Sequence, residues 1–240
     1  MTDYLLKAEG VAMHFGGVKA LDGIDFRLRK GELRCLIGPN GAGKTTFFRC
    51  LTGTQKPTYG TIEFRGRNIA GKERHEIARA GIGIKTQVPS LFDGLTVEEN
   101  IWLSLRSIRD RRQRTSKIAE VLERVGITDL RNGTLGRMAH GQRQLVELAM
   151  VVASDPELIL LDEPAAGMTS AEVERLGAII REVNRSHTVV VVEHDMQFIR
   201  MIADQITVFH QGKILVEDQV ENILRNQTVR DVYLGKKHVA

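Results

Sequence analysis

Early in the chain, the apolar run Leu33 to Ile37 leads into Gly38-Pro39-Asn40-Gly41-Ala42-Gly43-Lys44-Thr45. This octapeptide fits the pattern G-x-x-x-x-G-K-[ST] in full, and a helical pattern from Thr46 to Leu51 follows it. Glycine lets backbone N–H groups curl around phosphate oxygens without a Cβ clash, and a helix N-terminus adds partial positive charge. We therefore predict a nucleotide-binding loop in which Lys44 neutralises the β- and γ-phosphates and the Thr45 hydroxyl holds Mg²⁺.

An acidic pair follows a second apolar run, at Leu158-Ile159-Leu160-Leu161-Asp162-Glu163. A nucleotide-binding loop of this kind needs a metal-holding carboxylate at the end of a neighbouring strand. Asp162 is the predicted Mg²⁺ partner, because it emerges where the strand meets the phosphates. Glu163 is the predicted general base that polarises the attacking water.

A histidine stands after a third apolar run, where Thr188 to Val192 leads into Glu193-His194-Asp195. At the carboxyl end of a core strand, His194 can reach the γ-phosphate and the attacking water. Alternatively, Asp195 caps a helix from Met196 onward and His194 is merely exposed. Position alone leaves both interpretations open.

The order of periodic patterns predicts an α/β fold. Strict alternation from Ile24 to Arg29 indicates a half-buried strand, and Thr61 to Phe64 reads as another. The middle is helical, with a capping box at Thr96 and Glu99 and an apolar stripe that ends at Gly126. In the last third, two wholly apolar strands flank an amphipathic helix, which favours a parallel sheet with right-handed crossovers.

Composition narrows the class of protein. The 240 residues carry a net charge of +4, and the two cysteines, Cys35 and Cys50, are too few for a disulfide framework. The polar amino terminus predicts no signal peptide, and no apolar run is long enough to span a bilayer. The arginine-rich segment 106–117 is interpreted as a solvated helix end or loop, with contact to lipid headgroups or a partner as the alternative.

Taken in order, these motifs resemble the ATP-binding cassette (ABC) family across nearly the whole chain. The series begins with the loop at 38–45 and Gln87 after the strand Ile82 to Thr86. Residues 138–142 follow at the position of the family signature, and Asp162-Glu163-Pro164 and His194 complete the series. Phe15 matches the aromatic residue that stacks on adenine in that family. The resemblance implies a P-loop NTPase with a RecA-like core, an antiparallel β subdomain and an inserted helical subdomain.

That resemblance also implies a division of the single ATPase domain 1–240. Residues 1–89 and 155–240 would form the nucleotide-binding core with its β subdomain, and 90–154 the helical subdomain that carries the signature. ATP and Mg²⁺ are the implied cofactors. The implied ATP-binding residues are Phe15, Gly38, Pro39, Asn40, Gly41, Ala42, Gly43, Lys44, Thr45, Thr46, Ala139, His140, Gly141 and Gln142.

Catalysis would fall to Glu163, His194, Gln87 and Lys44, and Mg²⁺ to Thr45, Gln87 and Asp162. Gln87 would also couple the core to the helical lobe that meets a membrane permease. The implied partners are a second cassette, identical or different, that binds head to tail, the permease subunits, and indirectly a periplasmic or extracellular solute-binding protein. No nucleic acid is implied, and the chain would lie on the cytoplasmic face of the membrane.

Three positions depart from the family pattern. Ala139 occupies the usual serine of the signature and His140 its first glycine, while Thr169 stands where aspartate is frequent. The serine hydroxyl donates to a γ-phosphate across the dimer, and loss of a hydrogen bond to a charged group costs roughly 1.5–3 kcal/mol. We therefore expect slow hydrolysis of the nucleotide that faces this signature.

Within the family, the sequence is similar to importers of branched-chain amino acids and of urea or short amides. Met168-Thr169 and the short chain favour the urea type, with the amino-acid type as the alternative. Two other classes of protein are the alternatives: a soluble cassette acting on ribosomes or DNA, and a monomeric P-loop kinase. The first usually carries two cassettes or a long coiled-coil insertion, and the second lacks a signature helix.

Overall fold

A computed structural model of the chain describes residues 4–87, 91–106 and 108–234. Its strands are β1 (Tyr4–Phe15), β2 (Val18–Arg29), β3 (Leu33–Ile37), β4 (Tyr59–Phe64), β5 (Arg67–Asn68), β6 (Ile82–Lys85), β7 (Leu158–Asp162), β8 (Thr188–Val192), β9 (Gln205–His210) and β10 (Lys213–Gln219). Its α-helices are α1 (Lys44–Leu51), α2 (Arg74–Ala80), α3 (Val97–Ser104), α4 (Arg111–Val125), α5 (His140–Ala153), α6 (Ser170–Asn184), α7 (Met196–Ile202), α8 (Val220–Arg225) and α9 (Gln227–Leu234).

The larger sheet has six strands in the order β10-β9-β3-β8-β7-β6. Its inner strands pair in parallel, and β10 runs antiparallel to β9. Every residue of β3 and β8 is buried, as expected for strands covered on both faces. The predicted parallel sheet is confirmed. Its carboxyl edge gathers the segments that follow β3, β7 and β8, and those segments carry the predicted site.

The smaller sheet is antiparallel, in the order β2-β1-β4-β5. The alternation predicted for Ile24 to Arg29 is confirmed, since Ile24, Phe26 and Leu28 are buried and the residues between them are exposed. Phe47 of α1 joins the two sheets, because its ring lies 5.4 Å from the ring of Phe26 and 5.6 Å from that of Phe209. The predicted α/β P-loop NTPase fold with an antiparallel β portion is therefore confirmed.

Helices α3, α4 and α5 form the helical portion. Thr96 caps α3 by accepting from the Glu99 amide, and Gly126, in the left-handed region, ends α4. The apolar faces of all three helices join one cluster with the larger sheet and α6. A division into a helical subdomain at 90–154 and a core stays a prediction, and its boundary at 89 and 90 lies outside the described residues.

The described residues contain no helix that is both long enough and apolar enough to cross a bilayer. Cys35 and Cys50 are both free and buried.

Candidate nucleotide site

The phosphate loop lies between the carboxyl end of β3 and the start of α1. Gly38 adopts a φ of 148°, and a Cβ on it would lie 2.3 Å from the carbonyl oxygen of Phe209. Gly43, at φ 106°, is the N-cap of α1, and a Cβ there would lie 2.9 Å from Ala20 O. These two positions require glycine for both conformation and space. The loop thus seats α1 with its N-terminus open to an anion.

Lys44 is buried within this loop. Its Nζ donates to the carbonyl oxygens of Gly38 at 2.6 Å and of Pro39 at 3.0 Å. Burial lowers the pKa of Lys44, and the carboxylates of Glu163 and Asp162 oppose that shift. The neighbouring Thr45 is exposed. The loop therefore presents a fixed ammonium group beside an accessible hydroxyl, which is the pair of groups predicted for phosphate and Mg²⁺.

The acidic pair lies at the end of β7 on the same edge of the sheet. Burial, and then the charge of Glu163, raise the pKa of Asp162 to about 6. Glu163 has a φ of 44°, in the left-handed region, and its amide donates to Val192 O at 2.9 Å. A non-glycine residue in that conformation is held there by its surroundings, and such residues cluster at functional sites.

Glu163 lies between two of the other predicted catalytic residues. Gln87 Nε2 donates to Glu163 Oε2 at 3.2 Å, and His194 Nδ1 lies 3.6 Å from Glu163 Oε1. The predicted cap at Asp195 is confirmed, because its side chain accepts from the amides of Gln197 and Phe198, and contact of His194 with a γ-phosphate stays a prediction. The imidazole of His194 is 64% exposed and so is open to a ligand. The structure brings Gln87, Glu163 and His194 into one cluster.

The predicted metal ligands supply only oxygen donors: the hydroxyl of Thr45, the amide oxygen of Gln87 and the carboxylate of Asp162. Mg²⁺ prefers such hard donors and keeps several waters, so it needs few protein ligands. Adjacent carboxylates at 162 and 163 also place excess negative charge beside the phosphate loop. The donor set fits Mg²⁺. In the described part of the chain, no cluster of three or more His, Cys, Asp or Glu residues is arranged to hold a metal.

Phe15 ends β1 and is 48% exposed. It pairs with Val18 across the hairpin to β2, and that strand continues to Ala20, whose carbonyl approaches Gly43. The hairpin therefore lies against the phosphate loop. The ring of Phe15 is therefore accessible, and its stacking on adenine stays a prediction.

Residues 138–142 lie at the start of α5, which begins at His140. Ala139 is the N-cap, and its amide donates to Gln142 Oε1 at 3.1 Å. His140 Nε2 lies 2.9 Å from the carbonyl oxygen of Ala166. A Cβ on Gly141 would lie 2.1 Å from Glu172 Oε1, so a larger residue is excluded without movement of that carboxylate.

Within the described residues, no hydrogen bond joins segment 138–142 to the loop at 38–45. The signature end of α5 is instead bonded to the segment after the acidic pair, through His140. Thr169 in that segment caps α6, since its hydroxyl accepts from the Glu172 amide at 3.4 Å. Ala139 and His140, at this end of α5, are both exposed.

One feature of the site was missed by sequence reasoning. Lys85, at the end of β6, and Glu147, on α5, form an ion pair with 3.2 Å between Nζ and Oε2, and each is nearly fully buried. A lysine in the otherwise apolar strand Ile82–Lys85 was the only available signal. The pair links the strand that precedes Gln87 to the helix that follows the signature.

The family profile described as ABC transporter matches residues 21–166 of the chain. The chain belongs to this family, and it is an ATPase that binds ATP. It is 37% identical to the high-affinity branched-chain amino acid transport ATP-binding protein LivG of Salmonella typhimurium, over 98% of this chain and 100% of the relative. The corresponding protein BraF of Pseudomonas aeruginosa is 35% identical with the same coverage.

Solved structures agree with this assignment. The ADP conformation of MJ1267, an ATP-binding cassette of an ABC transporter, superposes with a TM-score of 0.88 at 27% identity, covering 97% of this chain and 99% of the other. The structure of cbiO1 from Clostridium perfringens, part of the ABC transporter complex cbiONQ, gives a TM-score of 0.85 at 26% identity, covering 98% and 96%.

Proposed function

We propose that the chain is the ATP-hydrolysing subunit of an importer for branched-chain amino acids. The two relatives reported above carry that activity in their names and match the chain over its length. The urea preference expected from Met168-Thr169 has weaker support, because both residues have local structural roles. Met168 packs against the main apolar cluster, and Thr169 caps α6. Urea or short amides remain the second candidate solute.

The observation that carries the chemistry is the position of Glu163 between Gln87 and His194. In the proposed reaction Glu163 accepts a proton from a water molecule while the oxygen of that water attacks the γ-phosphorus. The products, ADP and phosphate, then leave. Lys44 balances the charge that develops on the phosphoryl oxygens. Mg²⁺ on Thr45, Gln87 and Asp162 would supply further charge neutralisation at the phosphates.

Two cassettes are proposed to close over two nucleotides, with the α5 N-terminus of each facing the γ-phosphate of the other. An α-helix N-terminus attracts an anion through its free amides and dipole. Ala139 supplies no hydroxyl to that contact. In a heterodimer, the nucleotide bound by this chain would face the signature of the partner, so the two sites would hydrolyse at different rates.

A permease is proposed to dock in the groove between α2, α5 and β6, the end strand of the larger sheet. The groove has a volume of about 1080 Å³, and its charged lining is mainly basic, with Arg74, His75, Arg79 and Arg106. Glu147, also in the lining, is paired with Lys85. The groove therefore fits a cytoplasmic permease segment with acidic residues. Because β6 ends two residues before Gln87, a displacement of β6 by the permease would also displace Gln87 in the nucleotide site. This docking places the chain on the cytoplasmic face of the membrane.

The proposal is tested by purifying the intact complex from its own cells and reconstituting it in vesicles. Binding protein loaded with leucine is expected to stimulate ATP hydrolysis, and the complex carrying Glu163→Gln gives the background. Stimulation by urea-loaded protein alone would contradict the amino-acid assignment. Absence of any stimulation, with ATP binding intact, would contradict the transport role.

A further inference from the structure

A strongly basic surface stands at the start of α4. Segment 106–117 contains five arginines, one lysine and one aspartate. Four of the arginine side chains are exposed, and none of the four forms an ion pair within the described residues: Arg106, Arg109, Arg111 and Arg112. We call these four residues the arginine surface. Unlike a surface of interspersed opposite charges, it has no internal neutralisation.

The single acid within this segment offsets only one of its six positive charges. Asp110 is the N-cap of α4, and its Oδ1 accepts from the Arg112 amide at 2.8 Å. Lys117 pairs with Glu120 farther along the helix. The first turn of α4 contains no acidic residue, so the helix dipole adds to the positive potential. Asp110, Arg111, Arg112, Thr115 and Ser116 line a shallow depression of about 560 Å³.

An aromatic side chain borders the arginine surface. Trp102, at the end of α3, is 42% exposed, and the Arg114 guanidinium lies 4.9 Å from the centroid of its ring. Arg114 also donates to Ile108 O, and this hydrogen bond holds the guanidinium beside the Trp102 ring. Tryptophan combines an apolar ring with a polar N–H, and it is enriched where proteins meet lipid headgroups.

The arginine surface adjoins the groove assigned above to the permease, because Arg106 lines both. A permease seated in that groove brings the bilayer to the same side of the molecule. Anionic headgroups would supply the negative counter-charges that Arg109, Arg111 and Arg112 do not find among the described residues. An exposed indole ring beside them fits the boundary between headgroups and acyl chains.

We propose that the arginine surface and Trp102 contact anionic lipid headgroups of the membrane. The orientation of this surface rests on the proposed function, whereas its affinity for lipid is a property of the chain alone. Each basic side chain near an anionic bilayer contributes about fivefold in affinity. Loss of three arginines therefore lowers vesicle binding by on the order of a hundredfold, and salt weakens it.

The test uses the full chain with vesicles of phosphatidylcholine alone, or of phosphatidylcholine and phosphatidylglycerol in equal parts. Trp102 is the only tryptophan in the sequence, so intrinsic fluorescence reports this surface directly. Anionic vesicles are expected to shift the emission to the blue, and neutral vesicles are expected to leave it unchanged. An equal shift with both vesicles, or no shift with either, would overturn the proposal.

Two charge-matched triple variants provide the comparison in a sedimentation assay. Arg109→Glu/Arg111→Glu/Arg112→Glu is expected to lose vesicle binding more than tenfold. Arg67→Glu/Arg200→Glu/Arg230→Glu reverses three exposed arginines elsewhere, and it should retain binding within about twofold if position matters more than net charge. Equal losses in the two variants would contradict a specific surface.

Retained ATP binding by both variants shows that they are folded, and it separates failure of the lipid contact from failure of the proposed function. Preferential binding of the parent chain to a short RNA duplex, with no binding to anionic vesicles, would replace lipid by nucleic acid and overturn the proposal.

Discussion

Lys85 and Glu147 meet as a nearly buried ion pair, with 3.2 Å between Nζ and Oε2. Lys85 ends β6, two residues before Gln87, and Glu147 lies on α5, whose N-terminus carries the signature. Gln87 in turn donates to Glu163. Because both charged groups are out of water, separation of β6 from α5 would leave two unpaired charges. We infer that the pair makes the Gln87 strand and the signature helix move together.

Removal of one partner of this pair is expected to be strongly destabilising. Glu147→Leu removes the carboxylate paired with the buried Lys85 ammonium and leaves Asp162 as the remaining acid that acts on it, and the free energy of unfolding should fall by about 3–5 kcal/mol. Lys85→Met/Glu147→Leu should recover most of that loss, because it removes both charges at similar volume. Urea denaturation measures both variants. As a control, Asp204→Ala breaks the exposed Arg181 pair and should cost less than about 1 kcal/mol.

Restoring serine at position 139 is expected to raise ATP hydrolysis several-fold. The new hydroxyl would donate to the γ-phosphate held by the facing subunit, and a hydrogen bond to a charged group contributes roughly 1.5–3 kcal/mol. Steady-state ATPase assays of the intact complex measure the change. Ala139→Val, which adds bulk without a donor, is the control and should not raise the rate. An unchanged rate for Ala139→Ser would contradict the role assigned to this position.

Replacing the proposed base should separate binding from hydrolysis. Glu163→Gln keeps the shape of the side chain and the hydrogen bond from Gln87, but it cannot accept a proton. ATP hydrolysis should fall by about 10²–10⁴-fold, and ATP should hold the subunits together as a dimer. Size-exclusion chromatography with Mg-ATP detects the dimer. Turnover at the parental rate would show that another group removes the proton.

A buried histidine predicts loss of stability at acid pH. His187 Nδ1 lies 2.7 Å from Pro156 O, Arg124 Nη1 approaches Nε2, and Asp155 and Lys117 are the other charged groups nearby. Burial lowers the pKa of His187 below its ordinary value of 6.5. The unfolded chain then binds more protons than the folded chain below that pH, so stability is full above about pH 6.5 and falls as the pH drops.

His187→Gln removes this titration while keeping an N–H donor near Pro156. Thermal unfolding at about pH 7.5 and about pH 5.5 compares the two proteins. The drop in Tm on acidification should be smaller for the variant than for the parent. An equal drop would assign the acid sensitivity to other groups.

Local sequence signals predicted much of the fold. The strand Leu33–Ile37 and the strands before Asp162 and Glu193 were predicted because short apolar runs bounded by turns are decided within a few residues. The cap at Thr96 was predicted for the same reason. The edge strand β10 and its antiparallel pairing with β9 were not.

Buried charges escaped prediction, because their partners are distant in sequence. Arg34 sits inside a strand predicted as an apolar run, and its guanidinium pairs with Glu32 and, at 2.6 Å, with Glu217 of β10. Nothing near Arg34 in the sequence points to Glu217. The same holds for Lys85 and Glu147. For the candidate site, the motifs predicted the residue types, and the approach of Gln87 and His194 to Glu163 needed the structure.

The close approach of Gly38 to the Phe209 carbonyl has a consequence for folding during synthesis on the ribosome. Strand β3, which ends at Ile37 just before Gly38, is flanked by β8 and β9, both made late in translation. A nascent chain that stops short of Gln205 has the whole phosphate loop but lacks β9, one of the two strands that flank β3. Nucleotide affinity should therefore emerge only after β9 has been synthesised, so that ATP binding reports completion of the centre of the larger sheet.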